Sequence, residues 1–235
     1  MEIKIIIISS GNNWTRAYQD KGQITFNGIS YGNGVYVIGG DESSVGGVIF
    51  SSSDYSSWIS RKRNIPGTVT DLEYLNNRFI ALSGLGNILY SENGINWTLK
   101  NIGTNDNLDG KITFGNGQYV IVGWYGKIYT SNDLTNWVSR VSGTSEALYG
   151  VGFGNNLFVA VGARGFITSS QDGINWTTEN SGTSQELRSV VFGKEKFVTT
   201  GYGGTTGTSP DGVTWETQYS GVGEDVQLTD LIFTN

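Results

Sequence analysis

Carboxylates at a fixed spacing are the first residues of this chain with the makings of chemistry. Asp54, Asp133, Asp172 and Asp211, with Asn93 in the same series, each follow a serine by two residues (Ser52, Ser131, Ser170, Ser209 and Ser91) and precede a tryptophan by four. Acids repeated in this way could ligate a hard cation or move a proton. A second polar set is Asp71, Lys111 and Asp230, which fall at one shared position of the repeat described below, with Glu73 two residues beyond Asp71. A third, Asn105 to Gly110, has the opening spacing of a calcium loop. Its twelfth position, however, is Asn116 where a bidentate Glu is needed, and no helices flank it. Histidine and cysteine are absent. That removes imidazole and thiolate metal sites, cysteine nucleophiles and any histidine-based triad. No metal, cofactor or catalytic residue is assigned on these grounds.

The elements that would position such residues are set by a repeat. Tryptophans 14, 58, 97, 137, 176 and 215 are separated by 44, 39, 40, 39 and 39 residues, the length of one four-stranded propeller blade. Only Trp124 falls outside the series. Within a period, Leu148 to Thr177 reads as strand A (L-Y-G-V-G-F), strand B (L-F-V-A-V-G), strand C (F-I-T-S-S) and strand D (N-W-T). The A–B turns are built from Gly, Asn and, in one case, Lys194-Glu195; Gly and Asn accept the positive φ of tight hairpins. Each strand B brings an aromatic to one place, Tyr36, Phe79, Tyr119, Phe158 and Phe197, expected in the core.

Length and composition agree with this reading. The 235 residues suffice to bury a sizeable core without disulfides, and 35 glycines against 2 prolines, with 12% aromatics, fit many short strands joined by tight turns. The net charge of -6 opposes nucleic acid and anionic membranes. The longest N-terminal apolar run, Ile5 to Ile8, is too short for a membrane span or a signal-peptide core and reads as a buried strand. The expected location is cytoplasmic, or released as part of a phage-like particle. The N-W-T sequons at Asn13, Asn96 and Asn175 are read as repeat residues, not as glycan sites.

The expected fold is a six-bladed β-propeller, a single domain over 1–235. Its blades lie at about 24–65, 68–104, 108–144, 147–183 and 187–225, with a closing blade from 1–22 and 228–235. Five full units, two N-terminal strands (Lys4 to Ser9, Trp14 to Tyr18) and one C-terminal strand (Leu228 to Phe233) make twenty-three strands; six blades need twenty-four. One strand B is unaccounted for.

The repeated S-x-D-G-x-x-W resembles the Asp-box, or BNR repeat, of propellers of the sialidase and photosystem assembly-factor types. The resemblance covers nearly the whole chain, with Asp to Trp one residue shorter than usual and a degenerate N-terminal copy, Ile8 to Trp14. It implies that the box is a turn, its Asp or Asn accepting backbone N–H groups while the Trp packs beneath. A sialidase-like activity would need an arginine cluster, a tyrosine nucleophile and an acid/base. Of the seven arginines only Arg188 sits at a strand-A position, so no such triad assembles.

In such a blade the A–B and C–D turns lie at one end, and the B–C and D–A loops, where the sequence stops repeating, lie at the other. That end is the place to look for binding residues. Trp124-Tyr125, with Arg164 and Tyr202 in the next two B–C loops, are the candidate ligand-binding residues. Aromatic loop tips suit stacking on a sugar or gripping a protein. The reading is a non-catalytic, lectin-like recognition module. The alternatives are a protein-interaction or structural scaffold, as in a phage or phage-tail-like particle, and a glycoside hydrolase using an unrecognised site such as Asp71 or Asp230.

Overall fold

The computed structural model describes residues 4–8, 14–19, 24–221 and 226–231. The chain forms two compact units, Met1–Asn105 and Asp106–Asn235, and every described sheet lies within one of them. In the first unit, β1 (Lys4–Ile8) pairs with β2 (Trp14–Gln19) as a two-stranded antiparallel sheet. Two four-stranded sheets follow. One is β3 (Ile24–Gly32), β4 (Val35–Glu42), β5 (Gly46–Ser52) and β6 (Ile59–Ile65), and the other is β7 (Val69–Leu75), β8 (Arg78–Ser83), β9 (Asn87–Ser91) and β10 (Thr98–Asn101). The second unit holds three more: β11 (Ile112–Gly115) to β12 (Gln118–Val122), β13 (Lys127–Ser131) and β14 (Val138–Val141); β15 (Leu148–Gly154) to β16 (Leu157–Gly162), β17 (Ile167–Ser170) and β18 (Thr177–Glu179); and β19 (Leu187–Gly193) to β20 (Lys196–Gly201), β21 (Thr205–Ser209) and β22 (Glu216–Tyr219). All pair antiparallel in the order A-B-C-D, as the repeat required.

The turns explain why sheets form where they do. Asn33-Gly34, Asn76-Asn77, Asn116-Gly117, Asn155-Asn156 and Lys194-Glu195 all have positive φ at both positions. This is the backbone that matches the twist of a two-residue hairpin. It carries each strand A directly back along its strand B. There the two aromatics of the pair meet, with Tyr74–Phe79, Phe114–Tyr119, Phe153–Phe158 and Phe192–Phe197 centroids 4.6–4.8 Å apart. The tryptophan at the start of strand D closes the stack 6.4–6.5 Å from the ring of strand B: Phe79–Trp97, Phe158–Trp176 and Phe197–Trp215. Phe79, Phe158 and Phe197 are fully buried. They anchor cores made with Val69, Leu72 and Ala81 in the first unit and with Val120, Val151, Val190 and Leu187 in the second.

Neighbouring sheets of one unit meet strand A to strand A, through glycine. A Cβ on Gly32 would lie 2.3 Å from the Tyr74 ring, one on Gly115 2.2 Å from the Phe153 ring and one on Gly154 2.0 Å from the Phe192 ring. The hydrogen atom at each of these positions is a socket for the next aromatic.

The C-terminal strand expected over Leu228 to Phe233 is described only to Leu231, and 228–231 form no strand there; Phe233 lies outside the described residues. Its beginning is still placed by the repeat. Leu228 N–H donates to the Gly201 carbonyl at 3.1 Å, as Leu148 N–H donates to the Gly123 carbonyl at 3.0 Å. Gln227 bridges to Tyr202.

Candidate functional site

The repeated acids are engaged in their own turns. Asp172 Oδ1 accepts Ser170 Oγ–H at 3.0 Å and the N–H groups of Ile174 and Asn175 at 2.8 Å, and its Oδ2 accepts Asn175 Nδ2–H at 2.8 Å. Asp133 repeats the pattern with Thr135 and Asn136, Asp211 with Val213 and Thr214, and Asp54 with Ser56 and Ser57. Asn93 does the same with Ile95 and Asn96 through its amide oxygen. The backbone donors hold the carboxyls of Asp54, Asp133, Asp172 and Asp211 below the usual carboxylate range. Such anions have their lone pairs occupied and are poor proton acceptors. Beneath them Trp58, Trp97, Trp176 and Trp215 each donate their indole N–H to the carbonyl three residues back.

The other acidic sets are likewise engaged. Asp230 joins two segments of the second unit, pairing with Lys111 Nζ, just before β11, at 3.3 Å and accepting Ser189 Oγ–H of β19 at 3.1 Å. Asp106, in the calcium-like stretch, accepts the Tyr129 hydroxyl at 2.5 Å and pairs with Lys127 at 3.2 Å. Asp71, in the first unit, is buried. Among the described residues no group of three or more acidic side chains is placed to hold a metal.

The B–C loops are built quite differently. Gly123 and Gly162 lead into single turns, Trp124–Gly126 and Ala163–Gly165, in which Tyr125 (φ 58, ψ 32) and Arg164 (φ 55, ψ 30) take left-handed backbone. Leu85 also has positive φ, at 63°, in the first unit. The loops are tied down by their backbone: Trp124, Ala163 and Tyr202 donate N–H to the carbonyls of Asn107, Ala147 and Glu186 just before their own strand A. The glycine that follows the tip is forced by the D–A loop. A Cβ on Gly126 would stand 2.0 Å from the Thr144 carbonyl oxygen, and one on Gly165 2.0 Å from that of Thr183. Those D–A loops are themselves locked by S-G-T sequences. Ser142 Oγ and Ser181 Oγ each accept the N–H of the threonine two residues on, and the Thr144 and Thr183 hydroxyls accept the N–H groups of Glu146 and Gln185. Sequence reasoning did not single out this second repeated lock, although S-G-T-S stands twice, at 142–145 and 181–184.

On this frame Tyr125 is 71% exposed and Trp124 42%, their ring centroids 6.5 Å apart. The Arg164 side chain is 81% exposed, with a 3.5 Å contact to Glu146. Tyr202 is different. Its half-buried ring lies 5.0 Å from the guanidinium carbon of Arg188, which also stacks at 4.1 Å on Tyr149. Arg188 Nη2 donates to Glu186 at 2.6 Å, and its buried Nε–H meets no acceptor among the described residues. Burial, together with the charge of Glu186, pushes the Tyr149 hydroxyl up. Tyr149 and Arg188 are thus site residues that the reading of loops missed. They share one place in the repeat, directly after Leu148 and Leu187, and that shared column was the available signal. An open groove of about 450 Å³ lined by Arg140 and Val141 of β14 and by Ile174 and Trp176 of the next C–D turn contains none of the candidates.

No family model matches the chain, and no curated protein matches it. Solved structures do. A structure titled YCF48 bound to D1 peptide matches at TM-score 0.67 and 18% identity, over 88% of this chain and 72% of that one. Virginiamycin B lyase from Staphylococcus aureus matches at 0.73 and 12%, over 85% and 71%. A nidogen/laminin complex matches at 0.63 and 14%, over 88% and 84%. Together with five antiparallel four-stranded sheets in A-B-C-D order, these likenesses give the chain the β-propeller fold.

Proposed function

We propose that the chain is a non-catalytic recognition module that binds a protein or peptide segment through the loop tips carrying Trp124, Tyr125, Arg164 and Tyr202, with Tyr149 and Arg188 beside them. The observation that carries this reading is the contrast between the two kinds of loop. The acids of the C–D turns are bonded into the scaffold, whereas Tyr125 and Arg164 stand in left-handed backbone with their side chains directed to solvent. Holding a non-glycine residue in that region costs on the order of 1 kcal/mol. Exposed aromatic and arginine side chains on a braced backbone are the usual anchors of a protein interface. Two of the matched structures carry a peptide or a protein partner in their titles, which favours a polypeptide ligand over a glycan.

The test is a peptide array and a glycan array probed with the purified chain and with Trp124→Ala, Tyr125→Ala and Arg188→Ala. The expected result is peptide binding weakened tenfold or more by each substitution, the usual size for an interface anchor, with an unchanged melting temperature for Tyr125→Ala. Glycan signal lost in Trp124→Ala would replace the polypeptide ligand with a sugar at the same tips. Turnover of an oligosaccharide, abolished by Asp230→Asn, would overturn the non-catalytic reading.

A further inference from the structure

The loop tips of the second unit are joined into one row. Trp124 N–H donates to the Asn107 carbonyl and Leu148 N–H to the Gly123 carbonyl, which sets the Trp124 turn beside the start of β15, where Tyr149 follows Leu148. The Tyr149 ring carries the Arg188 guanidinium at 4.1 Å, and Arg188 in turn stands 5.0 Å from the Tyr202 ring. Trp124 with Tyr125, then Tyr149, then Arg188 with Tyr202 thus run across three successive sheets. Two properties of this row bear on what it can hold. Its charges cancel, because Lys127 pairs with Asp106 at 3.2 Å, Arg164 with Glu146 at 3.5 Å and Arg188 with Glu186 at 2.6 Å, each acid coming from a D–A connection. The row therefore gives neither sign of charge a net attraction. Its backbone is already used: Trp124, Ala163 and Tyr202 each donate their N–H to a D–A connection, and their carbonyls accept the N–H groups of Lys127, Phe166 and Thr205. A ligand is accordingly gripped by ring faces, hydroxyls and the indole N–H, and not by a strand-like ladder.

We infer, resting on the reading of these tips as a peptide site, that the partner's segment is uncharged, proline-rich and bound as a polyproline II helix. Such a segment presents carbonyls outward, has no N–H at its prolines, packs its rings on aromatic side chains and has little order left to lose on binding. Those demands match the row: aromatic faces, side-chain donors for carbonyls, and balanced charge. The Tyr149 hydroxyl, pushed up by burial and by the charge of Glu186, remains a donor through the neutral range. The 235 residues hold two prolines, Pro66 between β6 and β7 and Pro210 in a C–D turn, and the residues outside the described part contain none. No proline-rich segment of this sequence competes for the row.

The test probes the full chain with an array of short peptides built on P-x-x-P, x varied through all residue types, beside the same peptides with each proline replaced by threonine. The strongest binders are then titrated in solution by fluorescence anisotropy. They are expected to be uncharged P-x-x-P peptides, weakened at least about tenfold by the threonine replacement and at least about tenfold by Trp124→Ala or Tyr149→Ala. Tyr125→Ala, at the most exposed tip, should give a similar loss with an unchanged melting temperature, which separates lost contact from lost fold. Affinity should hold within about twofold between about 0.05 and about 0.5 M salt. Strongest binding by the threonine peptides, or by charged peptides with affinity falling steeply in salt, would overturn the inference and leave a peptide site at the tips. Binding of P-x-x-P peptides unmoved by Trp124→Ala and Tyr125→Ala would overturn it by placing the segment elsewhere. An array without any signal that Trp124→Ala removes would overturn both the inference and the peptide reading on which it rests.

Discussion

Asp172 gathers four hydrogen bonds inside one turn, and three other copies do nearly the same. A carboxyl held below its ordinary value of 3.8 contributes stability above that pH and loses it as the pH falls toward the folded value. The melting temperature is therefore expected to drop steadily as the pH is lowered from about 4 to 2. Calorimetry of Asp172→Asn should show a shallower acid slope, because one of the titrating boxes is gone while Asn93 shows that an amide can hold the turn. Asp172→Ala removes the acceptor outright and is expected to lower the melting temperature by about 2–4 °C at pH 7. A deeper residue behaves differently. Phe158, fully buried between Phe153 and Trp176, should cost about 3–5 kcal/mol when replaced by alanine, as read by urea unfolding.

At the scale of the elements, glycine separates turns that need only a backbone from turns that need space. Gly34 and Gly165 both have positive φ, but a Cβ on Gly34 meets nothing within 4 Å whereas one on Gly165 strikes the Thr183 carbonyl at 2.0 Å. Gly34→Ala is expected to cost about 1 kcal/mol, and Gly165→Ala about 3 kcal/mol or more, with loss of ligand binding as the Arg164 tip is displaced. Equal denaturation midpoints for the two variants would show that the D–A loop does not brace the tip. The five A–B hairpins and the order of strands are legible in the sequence, because Asn-Gly and aromatic-Val patterns recur at one period. The bracing of the tips is not. It depends on a carbonyl of one loop meeting a glycine some eighteen residues away, Gly165 to Thr183, and no local pattern announces that contact. The Tyr149–Arg188–Tyr202 stack is hidden for a similar reason, since it joins a loop residue to two strand residues of adjoining sheets.

For the molecule as a whole, the absence of histidine and cysteine leaves no side chain with an ordinary pKa between pH 6 and 8. The shifted groups move further from that window, the four aspartates downward and Tyr149 upward. Stability and ligand affinity are accordingly expected to stay level from pH 6 to 8, and a step near pH 6.5 in either would contradict the placement of the charges. The glycine sockets carry a further consequence. β15 holds both halves of the coupling, Phe153 fitting Gly115 behind it and Gly154 receiving Phe192 ahead of it, so its period is a part with one plug and one outlet, whereas the period of β7 has Leu75 at the place of the socket. Copying the period of β15 leaves its joints matched, whereas a cut at half a period sets an aromatic against a strand that has no room for it. Gene duplication in steps of about 39 codons is the change of length that such a chain absorbs.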